Sequence, residues 1–234
     1  MHSPFVFDFI LNVLNNGKNY IPPPEIEQVR ETLLSDSTTI EVQDLGAGSK
    51  RISESKRTIS QIAKTSLKPP KYGRLMHRLV SHYQPGSIIE LGTSLGITTA
   101  YLSKANENAI IHTVEGSKDI SDIAEQNLTS LHCGNVKLHV GNFDDQLPLI
   151  LGQVPSLDLA FIDGNHRYVP TMGYFNQILQ RINEYTILVF DDIHWSREME
   201  KAWKEIRAHP SVMYSIDIFF LGFVFFRKDF KVKQ

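Results

Sequence analysis

Two short segments carry carboxylates and imidazoles in an order suited to cation binding or proton transfer. Asp163-Gly164-Asn165-His166 follows the apolar run Leu157 to Ile162, and Asp191-Asp192-Ile193-His194 follows Thr186 to Phe190. An apolar run that breaks abruptly into acidic residues reads as a buried strand ending in a polar loop. If the two strands are parallel neighbours, Asp163, Asp191 and Asp192 converge at one sheet edge. Carboxylates packed together repel unless they are protonated or bridged by a cation, and oxygen-only ligation suits magnesium, calcium or manganese. A divalent metal, Mg2+ first, held by Asp163, Asp191 and Asp192 is therefore expected. His166 is the candidate general base, because an imidazole with a pKa near about 6.5 takes a hydroxyl proton at neutral pH, most easily from a hydroxyl acidified by a metal. The competing reading makes Asp163 and Asp191 helix caps, His166 and His194 polar loop residues, and His194 at most an orienting partner.

A second segment, Ile88-Ile89-Glu90-Leu91-Gly92-Thr93-Ser94-Leu95-Gly96-Ile97-Thr98-Thr99, runs from an apolar strand through a glycine turn into a helical pattern. Gly92 frees the backbone to turn and admits a ligand close to the loop, and Gly96 permits close passage of helix and strand. The form Glu-x-Gly-x-x-x-Gly lacks the middle glycine that seats a pyrophosphate, which disfavours a dinucleotide. Glu115, 19 residues after Gly96, ends the apolar run Ala109 to Val114 and can accept both ribose hydroxyl hydrogens. A ribose without a pyrophosphate is the better ligand.

The elements that must position these groups alternate regularly. Strands are predicted at 87–91, 110–115, 136–140, 157–162 and 185–190, each followed by a helix, the pattern of a parallel sheet with crossovers. A helix over about 196–208 precedes Met213 to Phe219, Leu221-Gly222 and Phe223 to Arg227, which read as an antiparallel pair closing the sheet, with Phe219, Phe220, Phe223, Phe225 and Phe226 as sheet core. Upstream, helices are expected at 5–14, from Glu25 to about Leu34 behind Pro22-Pro23-Pro24, at 55–66 and at 72–83, with Leu75, Leu79 and Val80 facing inward. Asp44-Leu45-Gly46-Ala47-Gly48 imitates the cofactor loop. Its preceding run is short and polar, so it reads as a glycine turn in a lid or edge segment. The expected organisation is a helical cap over 1–70 and a catalytic domain over 71–234.

Composition narrows the partners. A chain of 234 residues with 41% hydrophobic content has one sizeable core. A formal charge of −2 offers phosphate backbones no general attraction, so a small-molecule partner is expected and nucleic acid is not. Cys133, the single cysteine, fits a reducing compartment and reads as a structural thiol. No apolar run spans a bilayer and Met1-His2-Ser3-Pro4 lacks a basic start, which makes the cytoplasm the expected location, without membrane contact. Homodimer formation stays open, and Trp195 and Trp203 stay undivided between core and pocket wall.

Taken in order, Glu90 to Gly96, Val114-Glu115-Gly116 and Val140-Gly141-Asn142-Phe143 resemble the class I S-adenosylmethionine-dependent methyltransferases, over about residues 70 to 227. The resemblance implies an α/β fold, a doubly wound and mostly parallel seven-stranded sheet with an antiparallel C-terminal strand and an N-terminal helical extension. It also implies S-adenosylmethionine as cofactor, contacted by Glu90, Gly92, Thr93, Gly96, Thr98, Glu115, Gly116, Asn142 and Asp163. The acidic strand ends resemble the metal-dependent O-methyltransferases of the catechol and caffeoyl-coenzyme A type, which carry asparagine where this chain has Asp192 and a lysine base where it has His166. Asp192 and Phe161-Ile162-Asp163-Gly164-x-His166-x-Tyr168 resemble instead the sugar- and antibiotic-modifying branch. What the resemblance implies is in-line transfer of a methyl group to a small hydroxylated acceptor, with Asp163 and His166 as catalytic groups. A metal-independent methyltransferase, a non-catalytic binding module and, last, a nicotinamide-dependent oxidoreductase are the alternatives.

Overall fold

The computed structural model describes residues 4–15, 20–44 and 53–227. Helix α1, Pro4–Phe9, runs into a π-helical turn at Ile10–Leu14, which Asn15 closes by donating its N–H to the Ile10 carbonyl at 2.8 Å. Helix α2, Pro24–Ser35, starts on the third proline, whose fixed φ suits the first helical position. Strands β1, Thr39–Asp44, and β2, Ser53–Thr58, form an antiparallel pair in register from Thr39 opposite Thr58 to Asp44 opposite Ser53. The helix expected over 55–66 is thus confined to α3, Ile59–Ser66. Thr58 caps it: its Oγ1 accepts the Gln61 N–H at 3.2 Å and the Gln61 side chain accepts the Thr58 N–H at 2.9 Å. The N-terminal segment therefore holds a two-stranded sheet as well as helices. Of the Asp44-Leu45-Gly46-Ala47-Gly48 segment, Asp44 ends β1 and the rest lies outside the described residues.

Helix α4, Pro70–Tyr83, leads into the expected alternation. It continues as β3 Ser87–Leu91, α5 Ile97–Ala105, β4 Ile110–Glu115, α6 Lys118–Ser130, β5 Val136–Val140 and α7 Phe143–Gln153. It is completed by β6 Leu157–Ile162, α8 Tyr168–Ile178, β7 Ile182–Asp191, α9 Arg197–Ala208, β8 Tyr214–Asp217 and β9 Leu221–Phe225. The seven-stranded sheet has the order β5-β4-β3-β6-β7-β9-β8. The strands from β5 to β7 are parallel, and β9 runs antiparallel to both its neighbours. The order reverses between β3 and β6, the switch point where an open α/β sheet leaves a crevice at its carboxyl edge.

Alternation along the strands divides the core. Ile89, Leu91, Ala160, Ile162, Leu188 and Phe190 pack against α7, α8 and α9 on one face. Ile88, Leu159, Phe161, Val189, Phe223 and Phe225 meet Phe9, Val13 and the Leu75, Met76, Leu79 and Val80 stripe of α4 on the other. A third cluster joins Ile26 and Leu33 of α2, Val42 of β1 and Ile59 and Ile62 of α3 to α5 and α6. That cluster, with Glu41 N–H on the Asp119 carboxylate at 3.0 Å, fastens the N-terminal segment over the carboxyl edge of the sheet.

Phe223, Phe225 and Phe226 are buried as expected, whereas Phe219 and Phe220 are 62% and 46% exposed. Both sit in the turn from β8 to β9, where Phe219 adopts φ +73° and gives its N–H to Asp217 at 2.9 Å, so their side chains leave the sheet. Trp203 is buried in the core and Trp195 is exposed. Among the described residues no helix is long and apolar enough to cross a membrane.

Candidate functional site

Register brings the site together. Leu91 pairs with Val114 on one side and Ile162 on the other, and Ile162 pairs with Phe190. The next residues, Gly92, Glu115, Asp163 and Asp191, therefore emerge along one edge. Gly92 has φ +110°, and a Cβ there would lie 2.0 Å from the Asp163 carbonyl oxygen. The glycine thus answers to the neighbouring strand end as well as to any ligand. At Gly96 the close neighbours of a Cβ are Ala124 and Leu128 of α6, both at 3.4 Å, so its tight approach is helix to helix rather than the expected helix to strand.

A cavity of about 610 Å³ opens at this edge. Gly92, Glu115, Gly116, Asn142, Asp163, His166 and Asp192 line it, with Ser94, Trp195 and, from the N-terminal segment, Val42, Arg57, Thr65, Ser66 and Lys68. Glu90, Thr93, Gly96, Thr98 and Asp191 do not line it. Glu90 is fully buried and accepts hydrogen bonds from the Thr99 and Thr113 hydroxyls, while its Oε1 has no partner. Burial first, and then the Glu115 charge, push its pKa up to about 7 against the two threonine hydrogen bonds.

Glu115 accepts the Ser94 N–H at 2.8 Å and the Ser117 N–H at 3.0 Å, one on each oxygen. The two carboxylate oxygens have four lone pairs between them, so even with the Gly116 N–H as a third donor one remains for a ligand hydroxyl. Burial raises the Glu115 pKa, opposed by the N–H groups of Ser117, Ser94 and Gly116. Asn142 caps α7, its side-chain oxygen accepting the Asp144 N–H at 3.1 Å, and borders the cavity as well. These features fit a nucleoside carrying an amino-acid tail: ribose hydroxyl acceptors at Glu115, an unpartnered buried oxygen on Glu90, and a glycine turn between them.

His166 Nε2 lies 3.7 Å from Asp163 Oδ1. Burial lowers the His166 pKa despite Asp191 and Asp192, so the imidazole is neutral at physiological pH. His194 is turned away to Asp217, 2.9 Å from its Nε2. Asp163, Asp191 and Asp192 do share one edge, and a cation does lie among them. That cation is the ammonium of Lys68, hydrogen-bonded to Asp191, 3.6 Å from Asp192 and 3.9 Å from Asp163. Desolvation works against its charge, yet the three carboxylates outweigh it and its pKa is raised. Burial first and then the Asp163 charge raise the Asp191 pKa, and the Lys68 ammonium works against that rise.

Asp163, His166 and Asp191 have donor atoms within 4.8 Å of one another, a spacing that would serve an ion. Asp192 is outside that set, and an ammonium already on Asp191 would meet a divalent ion at the same oxygens with charge of the same sign. With Lys68 in place the expected ligand trio does not fit a metal. The sequence reading missed Lys68 and the other N-terminal contributors. Its own demand that the carboxylates be bridged by a cation was the signal, and a lysine was as valid an answer as an ion.

Residues 89–193 match the family model described as a methyltransferase domain. An uncharacterized protein of Acanthamoeba polyphaga mimivirus is 33% identical over 85 residues, which are 34% of this chain and 38% of that protein. The chain spans only 2% of another curated relative, a nonribosomal peptide synthetase of Aspergillus flavus. Among solved structures, the Podospora anserina methyltransferase bound to S-adenosylhomocysteine aligns with TM-score 0.70 at 15% identity, covering 97% of this chain and 98% of that one. The Bacillus cereus O-methyltransferase in complex with the same nucleoside gives TM-score 0.67 at 18% identity, over 91% and 96%. Over residues 89–193 the chain matches a methyltransferase domain, and over nearly its whole length it shares the fold of the solved methyltransferases.

Proposed function

We propose that the protein transfers a methyl group from S-adenosylmethionine to a hydroxyl of a small acceptor. The observation that carries this reading is a cavity whose wall includes Glu115, Asp163 and His166 together. Bound S-adenosylmethionine supplies an electrophilic methyl on a sulfonium centre. Glu115, with Gly116 beside it, receives the ribose hydroxyls, and Asn142 borders the adenine side. Gly92 and Thr93 form the turn beneath the amino-acid tail, and Gly96 and Thr98 lead from it into α5. Glu90 lies fully buried two residues before that turn with one oxygen unpartnered, and the acidic edge at Asp163 favours the cationic end of the cofactor.

A hydroxyl must lose its proton as it attacks, and the neutral His166 imidazole is placed to take it. Asp163, 3.7 Å away, stabilises the imidazolium that forms. The residues thus supply orientation, a base and fixed charge, with no covalent intermediate on the protein. The O-methyltransferase of Bacillus cereus, whose fold this chain shares, supports oxygen as the methylated atom. Val42, Arg57, Thr65, Ser66 and Lys68 of the N-terminal segment line the cavity, and that segment is our choice for the acceptor determinants, since surface segments vary while a sheet persists. The net charge of −2 and the buried Cys133 support a small-molecule acceptor and a reducing, cytoplasmic setting.

The test is thermal unfolding with S-adenosylhomocysteine, followed by transfer of labelled methyl to a panel of small phenols, sugars and hydroxy acids. Ligand at a hundredfold its dissociation constant adds about 2.7 kcal/mol to the native state. A protein that binds the nucleoside and labels a hydroxyl oxygen supports the proposal. Absence of binding overturns it in favour of a non-catalytic module.

A further inference from the structure

Lys68 reaches the acidic edge from outside the strand and helix repeat, 95 residues before Asp163 in the chain. Its backbone is pinned on both sides. Leu67 ends α3 by giving its N–H to the Ala63 carbonyl at 3.1 Å, and the Ser66 hydroxyl pairs with the Ser94 hydroxyl of the cofactor turn at 2.9 Å. Pro69 and Pro70 follow and open α4, and two consecutive prolines restrict the φ angles there and hold Lys68 in extended backbone. A lysine stem leaving that pinned point delivers its ammonium among Asp163, Asp191 and Asp192. The side chain is 23% exposed and Asp191 is 1% exposed, so the pair is shielded from bulk solvent on one side.

We propose that Lys68 is the resident cation of this carboxylate cluster, occupying the position of a divalent ion, so that methyl transfer proceeds without a metal. The ammonium compensates the charge that Asp191 and Asp192 bring to the edge and holds Asp163 where it faces His166. Lys68 is a positioning residue in this account: it acts on His166 through Asp163. The inference deepens the methyltransferase reading, which alone says what the cluster serves, but the cation's identity can be tested apart from it.

The experiment uses the full chain and Mn2+ as the probe, read by electron paramagnetic resonance, with S-adenosylhomocysteine affinity measured on the same samples. The unaltered protein and Lys68→Arg are expected to leave Mn2+ free. Lys68→Ala is expected to bind it at least about tenfold more tightly than the unaltered protein, because removing the ammonium leaves the carboxylates uncompensated. Adding Asp163→Asn to Lys68→Ala should abolish that gain. Lys68→Met keeps the aliphatic stem and serves if the alanine variant does not fold. Stoichiometric Mn2+ on the unaltered protein would overturn the proposal, as would a folded Lys68→Ala or Lys68→Met that binds none. Turnover of the unaltered protein should be unchanged by a chelator, and its loss would count against the proposal equally. Failure of every sample to bind S-adenosylhomocysteine would remove the methyltransferase reading instead, and the Mn2+ result would still decide what fills the cluster.

Discussion

The backbone at Gly92 passes so close to Asp163 that a Cβ on Gly92 would lie 2.0 Å from the Asp163 carbonyl oxygen. The obstacle is main chain, which cannot rotate aside, and φ +110° is a region that side-chain-bearing residues avoid. Gly92→Ala should therefore destabilise the protein by about 2 to 4 kcal/mol and part the ends of β3 and β6. Urea denaturation measures the first effect and S-adenosylhomocysteine titration the second. A variant of ordinary stability with intact affinity would show that the two strand ends are less tightly joined than the 2.0 Å spacing requires.

Glu115 has a double duty that one substitution cannot separate. Glu115→Ala removes a ribose acceptor and also strands the N–H groups of Ser94 and Ser117. Glu115→Gln keeps one carbonyl acceptor and removes the charge. Hydrogen bonds to a charged group contribute about 1.5 to 3 kcal/mol, so the glutamine variant should bind S-adenosylhomocysteine roughly tenfold to a hundredfold more weakly. The alanine variant should lose thermal stability in addition. Calorimetric titration that finds glutamine and glutamate equal would remove Glu115 from the nucleoside site.

The parts of this architecture that could be read from residues share one physical origin. Strands β3, β4, β5 and β6 are buried or edge strands of a parallel sheet, so each is a short apolar-rich run with polar punctuation, and its carboxyl end is where the topology must place chemistry. Gly92, Glu115 and Asp163 were visible for that reason. The β1 and β2 pair was not, because Ser53 to Thr58 is polar throughout and is a strand only through its partner. Lys68 was hidden in the same way: Leu67-Lys68-Pro69-Pro70 reads as a loop before a helix, and nothing local connects it to carboxylates a hundred residues on. Phe219 and Phe220 misled because aromatic content signals burial on average, and here a turn held by Asp217 directs them outward.

His166→Ala should leave S-adenosylhomocysteine affinity unchanged, because Glu115, which receives the ribose, ends β4, two strands away from the end of β6 that His166 follows. A positioned general base contributes about a hundredfold to ten-thousandfold, so kcat should fall by that order. Burial holds the His166 pKa below its ordinary 6.5, so wild-type turnover should rise with pH through a limb below that value and be level by neutral pH. The variant should lack the limb. A wild-type pH profile in the variant would transfer the base to another group.

Glu90 makes the stability of the cofactor-free protein depend on pH in a direction opposite to most carboxylates. Its folded-state pKa of about 7 exceeds the ordinary 4.5, so between those values the native state holds a proton that the unfolded chain has released. Unfolding then releases protons, and stability contributed by this site falls as pH rises, being complete below 4.5 and lost above about 7. The rise in pKa sets an upper limit near about 3 kcal/mol on that loss. Glu90→Gln retains a carbonyl that accepts from Thr99 and Thr113 and has no proton to release. Urea denaturation of both proteins at pH 5 and pH 8 should show the variant gaining on the wild type at the higher pH, with the titration of Asp191 cancelling in the difference. A stability gap that is the same at both pH values would mean that Glu90 ionises in the folded protein as it does in the unfolded chain.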